Sequence, residues 1–188
     1  MPSRVGVVSI QGDFDKHLLA LSRIPKVIPV EVRSCEDLKA VERLILPGGE
    51  STTVGKLMER FGLGEAIQNR AREGMPIWGT CMGMILMAKE VKGYSQYRLS
   101  ILDVEVERNA FGAQVHSFEA EVPVKGLGSP IEAVFIRAPV VTRMGPSVEP
   151  LGDYEGKTVA VRQGKLVGTS FHPELTQDLR FHTWFVEL

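Results

Sequence analysis

The stretch Pro76-Ile77-Trp78-Gly79-Thr80-Cys81-Met82-Gly83-Met84-Ile85-Leu86-Met87 sets one cysteine between two glycines, after a short apolar run and before a longer one. Ile77 to Gly79 reads as a strand and Met82 to Lys89 as a helix, so Cys81 stands on the turn that joins them. Upstream, strand-like and helix-like runs alternate. Val5 to Ile10 is a β-branched run ending at Gln11-Gly12-Asp13, and Phe14 to Ser22 has helical spacing. Val27 to Val32 is a strand interrupted by Pro29. Ser34, followed by Asp37, is expected to cap a short helix through Val41. Arg43 to Pro47 reads as a strand before Gly48-Gly49, and Ser51 to Phe61 and Gly64 to Glu73 as helices. This order predicts an α/β fold with a mostly parallel central sheet and helices on both faces.

The second half changes character. Asp103 to Glu107, Ser117 to Pro123, Ala133 to Arg137, Thr158 to Gln163 and Leu166 to Ser170 are strand-like, with few helices between them. Gln163-Gly164-Lys165 has the form of a hairpin turn. An antiparallel extension of the parallel sheet is therefore expected, closed by a helix over Thr176 to Leu188. With 188 residues and no internal repeat, low-complexity tract or linker, residues 1–188 are expected to form one domain.

Composition excludes several function classes. Hydrophobic residues make up 44% and charged residues 24%, with a formal net charge of -1, so charge gives no reason to expect nucleic-acid or membrane binding. No apolar run approaches the roughly 18 residues of a membrane span. The N-terminal MPSRVGVVSI lacks the apolar core and cleavage site of a secretory leader. Two cysteines make neither a disulfide framework nor a paired-CxxC zinc site. The expectation is a cytoplasmic chain without metal or cofactor.

Gly-x-Cys-x-Gly between strand and helix is the pattern of a nucleophile elbow. The glycines let strand and helix approach closely. The side chain projects at the carboxyl edge of the sheet, where open α/β folds bind ligands. The turn also opens a helix, whose N-terminal end favours a thiolate, and the Met82 N–H is placed to stabilise an oxyanion. A buried structural cysteine fits the elbow alone equally well. Cys35 lies in a polar stretch with no base in its motif.

A thiolate that expels an amine needs a proton shuttle held in place. Of the four histidines, His17 lies in an early helix and His182 in the last; solvated or packed side chains are expected for both. His116 has no carboxylate at a suggestive spacing. His172 follows the strand-like stretch Leu166 to Phe171 and opens His172-Pro173-Glu174, where Glu174 could turn back to hold the ring; a plain structural turn is the competing reading. Pro47-Gly48-Gly49-Glu50-Ser51-Thr52 marks another strand-to-helix junction. Its free N–H groups could hold an anion or carbonyl oxygen, while a turn with Ser51 as helix cap explains it equally well.

Six stretches across nearly the whole chain carry a family resemblance. They are Val8-Ser9-Ile10-Gln11-Gly12, Leu46-Pro47-Gly48-Gly49-Glu50-Ser51-Thr52-Thr53, Gly79-Thr80-Cys81-Met82-Gly83, Val106-Glu107-Arg108-Asn109-Ala110-Phe111-Gly112, Phe135-Ile136-Arg137-Ala138-Pro139 and Ser170-Phe171-His172-Pro173-Glu174-Leu175-Thr176. The chain resembles the class I, triad-type glutamine amidotransferases of flavodoxin-like fold. Among them it is most similar to the glutaminase subunits of pyridoxal 5'-phosphate synthase complexes. The resemblance implies Cys81 as nucleophile, His172 as general base and acid, and Glu174 as the residue orienting it. It implies that Gly49, Glu50, Ser51, Arg108, Ile136 and Arg137 contact L-glutamine, with Met82 and Gly48 at the oxyanion site. Taken singly, Arg108 and Arg137 read more readily as surface ion pairs. No metal or cofactor is implied for the hydrolysis. The implied partner is a (β/α)8-barrel synthase subunit in a large hetero-oligomer, which receives the ammonia.

Three positions depart from the family pattern: Met82 and Asp13, where small residues are usual, and Ala113, where arginine is usual. Met82 is expected to narrow the pocket, and Asp13 and Ala113 to affect partner contacts. The rival reading is another cysteine hydrolase, or a chaperone-type protein, on a similar sheet.

Overall fold

The structure, a computed structural model, describes residues 1–112 and 116–188. Ala113 lies outside the described residues. The elements run β1 (Ser3–Val8), α1 (Phe14–Ser22), β2 (Val27–Val32), α2 (Cys35–Lys39), β3 (Arg43–Leu46), α3 (Ser51–Arg60), α4 (Leu63–Arg72), β4 (Ile77–Thr80), α5 (Met82–Met87) and β5 (Ala88–Val91). They continue through β6 (Leu102–Glu107), β7 (Ser117–Val122), β8 (Ile131–Ile136), β9 (Val140–Met144), β10 (Glu149–Tyr154), β11 (Lys157–Gln163) and β12 (Leu166–Thr169). A 3-10 turn over Pro173–Leu175 and helix α6 (Arg180–Val186) close the chain.

The main sheet runs β2-β1-β3-β4-β12-β11-β9-β6-β5, with β10 on β11. From β2 to β12 the strands are parallel; β11, β9 and β6 then alternate in direction, and β5 joins β6 in parallel. The expected parallel sheet with an antiparallel extension is therefore present. Strands β7 and β8, however, form a separate antiparallel ribbon.

Side chains of the central strands alternate between the two faces, as the period of two requires. Leu44, Leu46 and Ile77 face a core built with Val54, Met58, Leu63 and Ile67 of α3 and α4, whereas Ile45 and Trp78 face a second core with Leu21 of α1, Phe181 and Phe185 of α6, and Ala133 and Phe135 of β8. Continuous apolar runs are what a sheet covered on both faces demands.

Helix ends follow local chemistry. Ser34 accepts from Asp37 N–H while Asp37 returns to the Ser34 N–H, the reciprocal cap read from the sequence. At α3 the cap is Glu50, not Ser51: its carboxylate accepts from the N–H groups of Thr52 (3.1 Å) and Thr53 (2.7 Å). Helix α2 stops at Lys39, short of the expected Val41, and two further helices are also shorter than expected. The chain leaves α5 at Met87 because Ala88–Val91 pairs with β6. The last helix begins only at Arg180, where Asp178 accepts from the Arg180 N–H at 3.0 Å. Among the described residues no helix is long and apolar enough to cross a membrane.

Trp78 joins the layers. It is fully buried, donates to Thr169 Oγ1 at 3.0 Å, and packs on Phe181 at 4.7 Å between ring centroids. Trp78→Ala is expected to cost about 3–5 kcal/mol of unfolding free energy, against less than about 1 kcal/mol for Phe61→Ala, whose side chain is 64% exposed. Urea denaturation checks both.

Candidate active site

Three parallel strands deliver the site. β3 pairs Leu46 with Gly79 of β4, and β12 pairs Thr169 with Thr80, so the strand ends lie side by side. Just beyond those ends stand Gly48-Gly49, Cys81 and His172. The Cys81 N–H extends the ladder one step, donating to the Thr169 carbonyl at 2.7 Å.

The elbow is strained. Cys81 has φ 52° and ψ -105°, a backbone that β-carbon-bearing residues rarely adopt. The flanking glycines have a steric reason. A Cβ on Gly79 would meet the Gly83 carbonyl carbon at 2.4 Å, and one on Gly83 would meet the Leu46 carbonyl oxygen at 2.0 Å. Asn109 (φ 50°) and Arg137 (φ 45°) are also left-handed and line the same pocket, so backbone strain clusters there. Helix α5 is only six residues long, which confines its dipole to a single short turn.

His172 Nδ1 lies 2.6 Å from Glu174 Oε1, and both residues are buried. The ring therefore donates its Nδ1–H to the carboxylate and turns Nε2 toward the nucleophile. Burial opposes charge on His172, but hydrogen bonding to Cys81 and to Glu174 outweighs it and pushes the imidazole up to about 10. Burial likewise opposes charge on Glu174, yet His17 and His172 hold it down to about 2. The pair is thus poised as imidazolium and carboxylate.

A cleft of about 290 Å³ opens over the sulfur. It is lined by Gly49, Glu50, Ser51, Met82, Arg108, Ile136, Arg137 and His172, together with Asp13, Ile85 and Asn109. Every residue expected to contact substrate is therefore brought to one place. Gly48 sits directly behind it, where a Cβ would come within 2.5 Å of His172 Cε1. Cys81 Sγ lies 3.7 Å from the Ile136 carbonyl oxygen. Among the described residues neither Arg108 nor Arg137 has a carboxylate partner, which removes the surface-ion-pair reading. The pocket holds cations suited to a carboxylate. Glu50 supplies an anion whose acidity is strengthened first by the Thr53 hydroxyl, down to about 2.

Sequence reading missed what holds Arg108. Its guanidinium donates to Gln96 Oε1 at 3.3 Å and lies 4.8 Å from the centre of the Tyr94 ring. Ser51 Oγ donates to the same Gln96 oxygen at 3.4 Å, so one amide ties the two sides of the cleft together. Neither Tyr94 nor Gln96 belongs to a motif. Met82 is buried and lines the cleft. Asp13 also lines the cleft, and one of its carboxylate oxygens lies within 4.8 Å of a ring nitrogen of His172 and of a carboxylate oxygen of Glu174. His116 is exposed and its carbonyl accepts from the Arg137 N–H at 2.8 Å; it does not line the pocket. His17 and His182 are packed, fully buried against the site's far side.

Fold and site together define a class: α/β proteins with an elbow cysteine facing a histidine–carboxylate pair at the sheet's carboxyl edge. The chain belongs to the SNO glutamine amidotransferase family, whose model matches residues 7–188. It is 53% identical to the pyridoxal 5'-phosphate synthase subunit PdxT of Herpetosiphon aurantiacus, over 98% of this chain and 99% of that one. It is 52% identical to a PdxT of Thermus thermophilus, over 98% and 96%. A crystal structure of a glutamine amidotransferase superposes with a TM-score of 0.93 at 49% identity, over 97% of each chain. PurLQS from Thermotoga maritima, at 15% identity and a TM-score of 0.69, shares the fold. These matches do not favour an unrelated cysteine hydrolase or chaperone.

The buried histidines impose a pH dependence on stability. Burial lowers both, His182 to about 3, so both remain neutral where the unfolded chain binds protons. Stability they contribute is complete above about pH 6.5 and falls below it, by at most about 1.4 kcal/mol per pH unit per group. Glu174, depressed likewise, adds to the loss only below about pH 4.5. His172 runs the other way: its contribution is complete below about pH 6.5 and lost as pH rises toward about 10. Thermal unfolding is expected to show a falling Tm from neutral to mildly acidic pH, with a shallower slope in His182→Leu.

Proposed function

We propose that this chain is the glutaminase subunit of a pyridoxal 5'-phosphate synthase, working as one domain over residues 1–188. It hydrolyses L-glutamine to L-glutamate and ammonia and passes the ammonia to a (β/α)8-barrel synthase subunit in a large hetero-oligomer. The names of its relatives at about half identity support this reading. Two unpaired cysteines, Cys35 and Cys81, support a reducing cytoplasm as its compartment.

The observation that carries the chemistry is an elbow cysteine and a hydrogen-bonded His172–Glu174 pair opening on one cleft. Cys81 Sγ attacks as thiolate at the side-chain amide carbon. The C–O double bond opens to a tetrahedral oxyanion, received by the Met82 N–H and a second donor from the Gly48-Gly49 peptide. The C–N bond then breaks. His172 gives its Nε2 proton to the departing nitrogen, leaving a γ-glutamyl thioester and ammonia. Water attacks the thioester as His172 takes its proton, and glutamate leaves with the thiolate regenerated. Glu174 stays a carboxylate throughout and holds the ring. Arg108 and Arg137 are assigned to the α-carboxylate and Glu50 to the α-ammonium, with Gly49, Ser51 and Ile136 completing the contacts.

Cys81→Ala is expected to abolish glutamate production while leaving the fold intact, and Cys35→Ala to leave activity near wild type. Equal loss in both variants contradicts the assignment. His172→Asn is expected to lower kcat by about 10²–10⁴-fold or more while calorimetry still detects glutamine binding.

The Gly48 carbonyl accepts from the Asp13 N–H at 3.1 Å, and Gln11 Oε1 accepts from the Glu50 N–H at 3.0 Å, so the loop before α1 grips the glycine pair. Reorienting the Gly48-Gly49 peptide breaks the first of these bonds. Docking of the synthase against residues 11–13 is the proposed trigger, a population shift that sets the second oxyanion donor. Stoichiometric synthase subunit is expected to raise glutaminase activity by about 10²–10³-fold, the value of one oxyanion donor. Full activity in the free chain, unchanged by the partner, refutes this switch and leaves the cysteine assignment standing.

A further inference from the structure

Behind Glu174 lies a second imidazole. His17 Nε2 is 3.4 Å from Glu174 Oε2 and 3.3 Å from Thr80 Oγ1, and His17 Nδ1 is 2.9 Å from His182 Nε2. His182 comes from α6 and Thr80 from β4, so two other elements hold the His17 ring of α1 against the Glu174 carboxylate. Both histidines are fully buried.

The tautomers follow from the neighbours. The Thr80 hydroxyl donates to the Leu46 carbonyl at 3.5 Å, which leaves its lone pairs to accept from His17 Nε2–H. The Glu174 anion beside it favours the same proton position. His17 Nδ1 then carries the lone pair and accepts from His182 Nε2–H. The remaining buried atom, His182 Nδ1, has no partner among the described residues. In this arrangement it is a bare acceptor. The opposite arrangement buries an orphan N–H on His182 and points a ring lone pair at the carboxylate, which costs more.

We infer that His17 is a positioning residue: neutral, with its proton on Nε2, it sets an N–H dipole against Glu174 Oε2 so that Oε1 stays fixed on His172. His182 selects that tautomer. Glu174 Oε2 accepts no hydrogen bond among the described residues; His17 Nε2 faces it at 3.4 Å as a dipole against an anion. Other groups facing the carboxylate are His172, paired with Cys81, and Asp13 at the start of α1; Lys16 of α1 and Arg23 just after it line an outer cleft with Glu174. None of these can replace an N–H at Oε2 from the His17 side. This inference rests on the Cys81–His172–Glu174 reading.

The test assays glutamine hydrolysis by the complex with its synthase subunit, as a function of pH. His17→Met is expected to lower kcat about 10-fold or more, the range for partners that orient a functional imidazole, with KM unchanged. Its acid limb should move to higher pH, because an anion that has lost a facing N–H dipole protonates more readily. His17→Gln, which returns an amide N–H, should restore most of both. Equal losses in the two variants with the limb unmoved, or a wild-type profile in His17→Met, overturn the inference. Should His17→Met fail to fold, the decision passes to long-range 1H–15N NMR of the unmodified chain. A neutral His17 protonated on Nε2 supports it; protonation on Nδ1 overturns it. Hydrolysis that survives Cys81→Ala refutes the underlying reading instead, whatever the tautomer.

Discussion

A single backbone pairing governs this molecule: β12 beside β4, parallel and in register through Thr169 and Thr80, ending in the Cys81 N–H to Thr169 carbonyl bond. Parallel strands end on the same edge, so this pairing brings the elbow and the His172 turn together although they lie far apart in sequence. A slip of one residue would send the side chains of one strand to the opposite faces. Trp78 would then leave the core it shares with α1 and α6. The two-sided burial of β4 therefore locks the register on which the site depends.

Around that edge, polar groups are arranged so that each charge has a defined partner. The His172 imidazolium faces the Glu174 carboxylate, the carboxylate faces a neutral His17, and His17 is fixed by His182. Burial opposes charge on all four, and only the His172–Glu174 pair overcomes it. The buried carboxylate thus lies between two imidazoles, His172 on Oε1 and His17 on the side of Oε2. The cleft side is more open: Arg108 rests on Tyr94 and Gln96, while Arg137 has no carboxylate partner among the described residues.

Much of this is legible in the sequence because it rests on local signals. Helix α1 and strand β2 can be read with their observed bounds, since hydrophobic spacing and flanking polar residues mark both. The elbow is legible because glycine is needed on either side, for the steric reasons seen at Gly79 and Gly83. Strand β9 escapes such reading, since VVTRM follows Pro139 and shows no alternation. So does β10, where Pro150 and Gly152 argue against a strand and are tolerated by register shifts on β11. The His17–His182 pair can be read only as two packed side chains, because its meaning arises where α1 and α6 cover the same face of β4. Gln96 and Tyr94 lie in a segment without regular structure, and no spacing rule points from them to Arg108. The sequence points to Ser51 as the cap of α3, but a carboxylate one residue earlier reaches the same N–H groups.

The central claim is that Cys81 carries the glutamyl group. Acid quenching of the complex during turnover, followed by peptide mass spectrometry, tests it most directly. The account predicts a γ-glutamyl adduct on the peptide containing Cys81 and none on the peptide containing Cys35. An adduct confined to another residue, or undiminished glutamate production in Cys81→Ala, would contradict it.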